Sequence, residues 1–293
     1  MINIKVPATT ANIGPGYDSL GIALNLYNKF SFQETPRGLE IIGGLDGEKD
    51  ADNLVYTSML KTFEHVGYKH KGIRINIETN IPVSRGLGSS STCIVAGVMA
   101  ANEIAGKPLS LDDVLTVATE IEGHPDNIAP ALFGGLVASL MEEDRIYYNN
   151  IQIGEGLKLY AIVPNFTVST KDAREVLPEN ISHKAASENV ARVSLVISAF
   201  SSGRFDLLKP GLKDNLHQPY RSKLIKGFDQ VIDKCYEFKA YGAYLSGAGP
   251  TIMAIVDESN NDFKEEMEYY LKSKGYDWKI IELQIDLDGA VKI

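Results

Sequence analysis

The 293-residue sequence has only two cysteines, no long apolar run and no cluster of basic residues. Cys93 and Cys235 are too few for a disulfide framework and lack metal-ligand spacing, so we expect a reducing compartment, the cytoplasm. No stretch of roughly 18 apolar residues is present to span a bilayer, and residues 1–20 lack a basic segment followed by an apolar core. We therefore expect neither secretion nor a membrane partner.

The charge balance is acidic, with a formal net charge of −9 and a sequence pI near 5.2. Because binding to a phosphate backbone depends on clustered Lys and Arg, nucleic acid is not expected as a partner. A chain of this length buries roughly 75% of its unfolded surface and forms one large domain or two smaller ones. The composition agrees with a soluble enzyme.

A glycine- and serine-rich segment stands between a strand pattern and a helix pattern. Ile73, Ile75 and Ile77 alternate with polar residues, which predicts a strand with one buried face. The small and apolar run 93–101 predicts a buried helix, opened by hydroxyl residues suited to capping. The segment between them consists of Pro82, Val83, Ser84, Arg85, Gly86, Leu87, Gly88, Ser89, Ser90, Ser91 and Thr92.

A loop that ends at a helix N-terminus is suited to holding an anion. The first backbone N–H groups of the helix lack intrahelical partners, and the macrodipole is positive there. Gly86 and Gly88 allow tight turns and close approach to a ligand, while the serine hydroxyls can meet phosphate oxygens or hydrated Mg²⁺. We interpret the loop as a phosphate site, with a serine-capped turn as the structural alternative. It is neither a G-x-x-x-x-G-K-[ST] loop nor a G-x-G-x-x-G turn.

Helix and strand patterns alternate along the rest of the chain. The first strand is expected to end at Pro7, which lacks a backbone N–H. A break in the apolar pattern at 144–156 predicts a boundary between domains 1–150 and 151–293. Because both halves mix helices and strands, the fold class is α+β. The patterns predict strands over 2–6, 22–32 and 39–42 and helices over 53–66, 110–122, 185–200, 224–238 and 262–274.

Two further segments carry polar residues suited to a ligand. Asn12 and Asp18 lie in a turn-rich stretch and can accept hydrogen bonds from an ammonium or hydroxyl group, or can hold the turn itself. Glu120 and Glu122 lie at a helix C-terminus, where the macrodipole disfavours anions, so another interaction should favour them. His124, beside a proline turn, is interpreted as structural rather than as a general base.

These segments resemble those of one superfamily. Residues 82–91 are similar to the nucleotide loop P-x-x-x-G-L-G-S-S-[SA] of the GHMP small-molecule kinases, and 245–251 to their third glycine motif. Residues 7–18 resemble the opening motif P-A-[ST]-[ST]-A-N-[LI]-G-x-G-[FY]-D of the homoserine kinase family. Residues 169–178 and 214–221 resemble its [ST]-x-x-[AD]-R-x-x-L-P and D-x-[LI]-H-x-P-x-R segments, so the resemblance covers nearly the whole chain.

The resemblance implies a two-domain GHMP kinase fold, with an N-terminal domain like ribosomal protein S5 domain 2 and a ferredoxin-like C-terminal domain. It implies that ATP, with Mg²⁺, phosphorylates the hydroxyl of L-homoserine in threonine biosynthesis. The alternatives are another GHMP kinase, acting on an isoprenoid alcohol or a sugar, and a non-catalytic binding member of the fold. The oligomeric state is left open, with a homodimer as the assembly considered.

The same resemblance implies residue roles. Residues 82–92 would bind the ATP phosphates, and Ser90 with Glu120 would hold Mg²⁺, Glu122 being the fallback ligand. Whether Asp126 deprotonates the substrate is left open. Two arginines suit the substrate carboxylate because guanidinium binds carboxylate in a bidentate manner, although a surface salt bridge is the commoner role of such a residue. The implied substrate contacts are Asn12, Asp18, Asn127, Arg174, Arg221 and Gly247, and the implied catalytic residues are Asn12, Ser90, Glu120 and Asn127.

Overall fold

The computed structural model describes residues 1–44, 50–143 and 145–293. In these residues the chain forms two β-sheets with helices packed on them, which confirms the α+β class. Residue 144, the first of the expected boundary segment, lies outside the described residues.

A seven-stranded sheet is formed by the N-terminal half and the end of the chain. Its strands are β1 (Ile2–Ala11), β2 (Leu20–Glu34), β3 (Gly38–Gly43), β4 (Gly72–Glu78), β5 (Leu136–Glu142), β6 (Arg145–Ile151) and, from the C-terminus, β11 (Val291–Lys292). The order is β11-β1-β2-β4-β3, and β5 joins β2 and β6. Because β11 pairs with β1, the last residues of the chain join the sheet of the N-terminal half, and the division into 1–150 and 151–293 stays a prediction.

A four-stranded antiparallel sheet forms the second domain. Its strands are β7 (Leu157–Val163), β8 (Gly242–Leu245), β9 (Ile252–Asp257) and β10 (Lys279–Leu283). The order is β10-β7-β9-β8, with helical segments following β7 and β9. This is the βαββαβ arrangement of the ferredoxin-like fold that the resemblance implied.

Ten α-helices lie in the described residues. Their bounds are α1 (Leu54–His65), α2 (Ser89–Ile104), α3 (Leu111–Glu122), α4 (Pro125–Phe133), α5 (Thr170–Glu175), α6 (His183–Ser202), α7 (Leu208–Gly211), α8 (Gln218–Arg221), α9 (Phe228–Glu237) and α10 (Phe263–Ser273), with 3₁₀ turns at Phe205–Leu207 and Ser222–Leu224. Asn53 caps α1, and Ser110 with Asp113 forms a capping box on α3, which confirms both expected starts. In the described residues we find no helix long and apolar enough to span a bilayer.

Two predicted boundaries are wrong. β1 does not end at Pro7 but continues to Ala11, because a register shift between Pro7 and Ala8 accommodates the missing N–H. The start of α2 is not capped by a hydroxyl side chain: its N-cap is Gly88, with φ of 68°, and the serines form the first helical turn. Because β1 continues past Pro7 and α2 begins at Ser89, Thr9 and the serines lie in the same part of the molecule.

Apolar side chains form three buried clusters. The first joins helices α1–α4 to the large sheet, and the third packs α9 and α10 on the small sheet. The second takes residues from both sheets and from α6, and it includes Ile81, just before the glycine- and serine-rich loop, and Leu87 within the loop. The loop is therefore anchored in the core that joins the two domains.

Candidate active site

The loop from Pro82 to Gly88 is held by main-chain contacts from both domains. Thr9 N donates to Leu87 O at 3.2 Å, and Thr251 N donates to Arg85 O at 3.2 Å. A Cβ atom on Gly86, whose φ is 76°, would lie 2.3 Å from Ser246 O. Only glycine fits this position, because a side chain would meet backbone and the φ is left-handed.

Arg85, although it lies in this loop, is occupied by carbonyl groups. Its guanidinium donates to Pro164 O at 3.0 Å, Asn165 O at 3.1 Å and Val83 O at 3.3 Å. Burial lowers the pKa of Arg85. The side chain thus ties the loop to the residues that follow β7.

One cavity joins this loop to the other candidate residues. It is lined by Asn12, Asp18, residues 83–91, Glu122, His124, Asp126, Asn127, Arg174, Arg221 and Gly247, among others. Three of the sequence candidates do not line it: Pro82, Thr92 and Glu120. Thr92 is buried, and its hydroxyl donates to Ser89 O at 2.8 Å and accepts from Asn28 at 2.9 Å.

The carboxylate beside the serines is Glu122, not Glu120. Glu122 accepts hydrogen bonds from Ser90 Oγ at 3.2 Å and from Ser91 Oγ at 3.1 Å. Residues two apart on a helix lie about 200° apart around its axis, so Glu120 faces solvent when Glu122 faces α2. The expected pairing of Ser90 with Glu120 is therefore corrected to Ser90 with Glu122. Burial raises the pKa of Glu122, although His124 and the two hydroxyls oppose the shift.

His124 and Asp126 form an ion pair at the N-terminus of α4. His124 Nδ1 lies 2.6 Å from Asp126 Oδ1. Burial acts to lower the pKa of His124, but the hydrogen bond to Asp126 and the charges of Asp126 and Glu122 outweigh it and raise the pKa. Asn127 donates from Nδ2 to Asp126 Oδ1 at 3.3 Å, and its Oδ1 accepts from Thr9 Oγ1 at 2.7 Å. Thr9, which lies in the part of β1 beyond Pro7, thus orients the side chain of Asn127.

Asp18 and the two arginines occupy the opposite side of the cavity. Arg174 Nη2 donates to Asp18 Oδ1 at 3.1 Å, and Nη1 donates to Oδ2 at 3.3 Å. Arg221 is buried, donating from Nε to Ala173 O at 2.9 Å and from Nη1 to Gly247 O at 3.0 Å. The two cations come from α5 and α8, and both reach the turn between β1 and β2.

Asn12 organises this turn. The residue is buried with φ of 69°; its Oδ1 accepts from Asp18 N at 3.0 Å, and its Nδ2 donates to Gly247 O at 3.1 Å. Gly247 N in turn donates to Ala11 O at 3.1 Å. The amide of Asn12 therefore connects Asp18 to the glycine loop that also receives Arg221.

His217 was not among the sequence candidates, although it stands in the motif that contains Arg221. It is fully buried, with Nε2 2.8 Å from Gly14 O and Nδ1 3.5 Å from Arg221 Nη1. Burial lowers the pKa of His217, which favours a neutral ring that donates from Nε2 and accepts at Nδ1. Tyr17 is the other residue that sequence reasoning missed, and its position beside Asp18 in the opening motif was the available signal.

The cavity combines a helix N-terminus, a serine–glutamate group and two arginines, and two family models place the chain in the class of GHMP kinases. The family model described as "GHMP kinases N terminal domain" matches residues 53–135, and "GHMP kinases C terminal" matches 196–272. Within that class, the chain belongs to the homoserine kinase family. A homoserine kinase of Clostridium beijerinckii is 51% identical, and the match covers 100% of this chain and 99% of that one.

Solved structures agree with this assignment. The crystal structure of homoserine kinase from Cytophaga hutchinsonii has a TM-score of 0.90 and 31% identity, covering 100% of this chain and 97% of that one. L. major mevalonate kinase, crystallised with R-mevalonate, has a TM-score of 0.73 and 17% identity, covering 97% of this chain and 95% of that one. The second comparison shows a shared fold.

Proposed function

We propose that this protein transfers the γ-phosphoryl group of ATP to the side-chain hydroxyl of L-homoserine, forming O-phospho-L-homoserine in threonine biosynthesis. The observation that carries the proposal is the cavity itself, in which a helix N-terminus meets two arginines and two aspartates. Such a cavity matches a polyanion on one side and an amino-acid zwitterion on the other. We place the reaction in the cytoplasm; a homodimer stays a prediction.

The phosphate groups are assigned to residues 86–91. The N–H groups at the start of α2 and the hydroxyls of Ser89 to Ser91 line the cavity, and no lysine is required there. Leu54, Val55 and Ile77 also line the cavity and give an apolar surface suited to the nucleoside. Pro82, Thr92 and Arg85 support the loop rather than contact the nucleotide.

Mg²⁺ fits the oxygen atoms of Ser90 and Glu122. Hydroxyl and carboxylate oxygens are the donors that this hard cation prefers, and it keeps several waters. The two groups already lie 3.2 Å apart, so little rearrangement is needed to bring both onto one ion. When bound, the ion neutralises charge on the transferred phosphoryl group.

The substrate zwitterion is assigned to the opposite end. Arg174 and Arg221 would take the carboxylate, and Asp18 with Asp126 would receive the ammonium group. Asn127, oriented by Thr9, would hold the hydroxyl toward the phosphate loop. In the free protein Asp18 and Arg174 bind each other, so the zwitterion would exchange both partners of an existing ion pair. Asn12 and Gly247 would support this arrangement from behind.

Alignment and charge neutralisation supply most of the rate enhancement in phosphoryl transfer. In this protein Ser90 and Glu122 would hold the Mg²⁺ ion that supplies charge neutralisation, and Asn127 would align the acceptor hydroxyl. We assign no general base.

Initial rates with a panel of acceptors test the proposal. Purified protein with ATP and Mg²⁺ should turn over L-homoserine with saturation, and mevalonate and galactose at no more than background. Preferred turnover of mevalonate or galactose would instead indicate another GHMP kinase. Absence of ATP turnover with every acceptor would support a non-catalytic member of the fold.

A further inference from the structure

Tyr17 lies behind the two arginines rather than in the lining of the cavity. Its ring centroid is 5.8 Å from Arg174 Cζ and 5.0 Å from Arg221 Cζ, and 5.3 Å from the ring of His217. Tyr17 belongs to the turn between β1 and β2, whereas the arginines belong to α5 and α8. One aromatic ring therefore contacts two cations from the other domain.

The hydroxyl of Tyr17 is shared by these cations. It accepts a hydrogen bond from Arg174 Nη1 at 3.0 Å and from Arg221 Nη2 at 3.4 Å. A phenolic hydroxyl can both donate and accept hydrogen bonds, and here its oxygen accepts from both arginines. A single oxygen atom thus sets how far apart the two guanidinium groups lie.

The hydrogen bonds to Tyr17 oppose the repulsion between the two arginines. Two guanidinium groups that converge on one carboxylate repel each other until the anion arrives. Arg221 is fixed by bonds to Ala173 and Gly247, but Arg174 is half-exposed and bonds only Asp18 and Tyr17 among the described residues. Once Arg174 leaves Asp18 for a substrate carboxylate, the bond to Tyr17 is the one that still positions it.

We propose that in this chain Tyr17, at a position where the family motif also allows phenylalanine, is a positioning residue that holds Arg174 and Arg221 at a spacing suited to one carboxylate group. This inference rests on the proposed amino-acid substrate and adds a specificity element to it. Tyr17 acts through the arginines, so its effect should depend on whether the substrate carries a carboxylate.

The test is Tyr17→Phe, which keeps the ring and removes the shared oxygen. The KM for L-homoserine should rise about tenfold, because hydrogen bonds to charged groups are stronger than neutral ones. The kcat value and the KM for ATP should stay within about twofold. With 3-amino-1-propanol, which is homoserine without its carboxylate, kcat/KM should be the same in both proteins.

Tyr241→Phe is the matched control, because its hydroxyl also bonds a polar partner, Asp257 Oδ2 at 2.7 Å, but lies outside the cavity. It should leave every constant unchanged. A double-mutant cycle of Tyr17→Phe with Arg174→Lys gives a second readout and should be strongly non-additive.

Equal loss on both acceptors, independent effects in the cycle, or an unchanged homoserine KM would overturn the proposal for Tyr17 while leaving the kinase activity intact. A wild-type protein that does not phosphorylate homoserine would instead overturn the proposed function.

Discussion

The end of the cavity that we assign to phosphate is made mainly of main chain, whereas the end that we assign to the amino acid is made of charged side chains. Residues 86–91 are continuous in sequence and present helix N–H groups and hydroxyls. The opposite end combines side chains from the β1–β2 turn, α4, α5 and α8, which are far apart in sequence. The first end tolerates few changes of shape, and the second should tolerate few changes of charge.

The two ends also differ in which contacts hold their groups in place. The loop is held by Thr9, Ser246 and Thr251, so its N–H groups stay oriented. At the other end, the charges bind each other, as in the pairs Arg174–Asp18 and His124–Asp126. Because these charged side chains already have partners, a zwitterionic substrate would replace existing ion pairs and would not have to remove water from unpaired charged side chains.

The largest expected effect comes from changing the shape of the loop. Gly86→Ala would place a methyl group against Ser246 O at a left-handed φ, so the loop must shift. Displacement of about 1 Å can cost about 10²-fold, and we expect at least that loss in kcat/KM for ATP. The control is Gly106→Ala, which has φ of 87° and no atom within 4 Å of the added Cβ. Similar activity in both variants would contradict the backbone account.

Removing a charge at the amino-acid end should have a selective effect. Arg174→Ala should raise the KM for L-homoserine about 50-fold, because a charge-assisted contact to carboxylate is lost, while the KM for ATP is unchanged. The control is Arg204→Ala, which removes an exposed ion pair with Asp206. If Arg174→Ala weakened ATP and homoserine equally, the separation of the two ends would be wrong.

Glu122, the metal ligand that we propose, and Glu120 give a matched pair of variants. Glu122→Gln should raise the Mg²⁺ concentration for half-maximal rate about tenfold, since an anionic ligand is lost. Glu120→Gln, on the exposed face of the same helix, should leave it unchanged. Measurement of rate against free Mg²⁺ decides between them, and the reverse result would restore the Ser90–Glu120 pairing.

The smallest effect concerns the His124–Asp126 pair. The pKa of His124 is raised above its ordinary value of 6.5, so its contribution to stability is fully present below that value. The contribution is lost as the pH rises through the raised pKa. The free energy of unfolding of wild type relative to His124→Asn should therefore fall by about 1 kcal/mol or less between pH 6 and 9. A gap between the two proteins that widens as the pH rises would contradict the account.

The sequence was most informative where function lies in one continuous stretch. The place of the loop between a strand and a helix and the start of α1 could be predicted because glycine and cap residues act on their own neighbours, although the N-cap of α2 is Gly88 and not a hydroxyl residue. The choice between Glu120 and Glu122 could not, because it depends on how α3 packs beside α2. Helical spacing shows only that the two carboxylates face different directions.

The amino-acid end was predicted as a set of residues but not as an arrangement. Family motifs implied Asp18 and Arg174, yet nothing local indicates that they bind each other. Tyr17 and His217 could not be predicted as site residues because both contact Arg221, which is a tertiary contact that local sequence does not indicate. The pairing of β11 with β1 could not be predicted from the sequence either, since the periodicity of a strand does not specify its partner strand.

The most direct test of the account is a crystal structure with L-homoserine, Mg²⁺ and a non-hydrolysable ATP analogue. The account predicts phosphate groups against the N–H groups of residues 86–91, and the amino-acid carboxylate between Arg174 and Arg221. The Arg174–Asp18 bond should be broken, with Asp18 on the ammonium group. An intact Arg174–Asp18 pair, with the amino acid bound elsewhere, would contradict it.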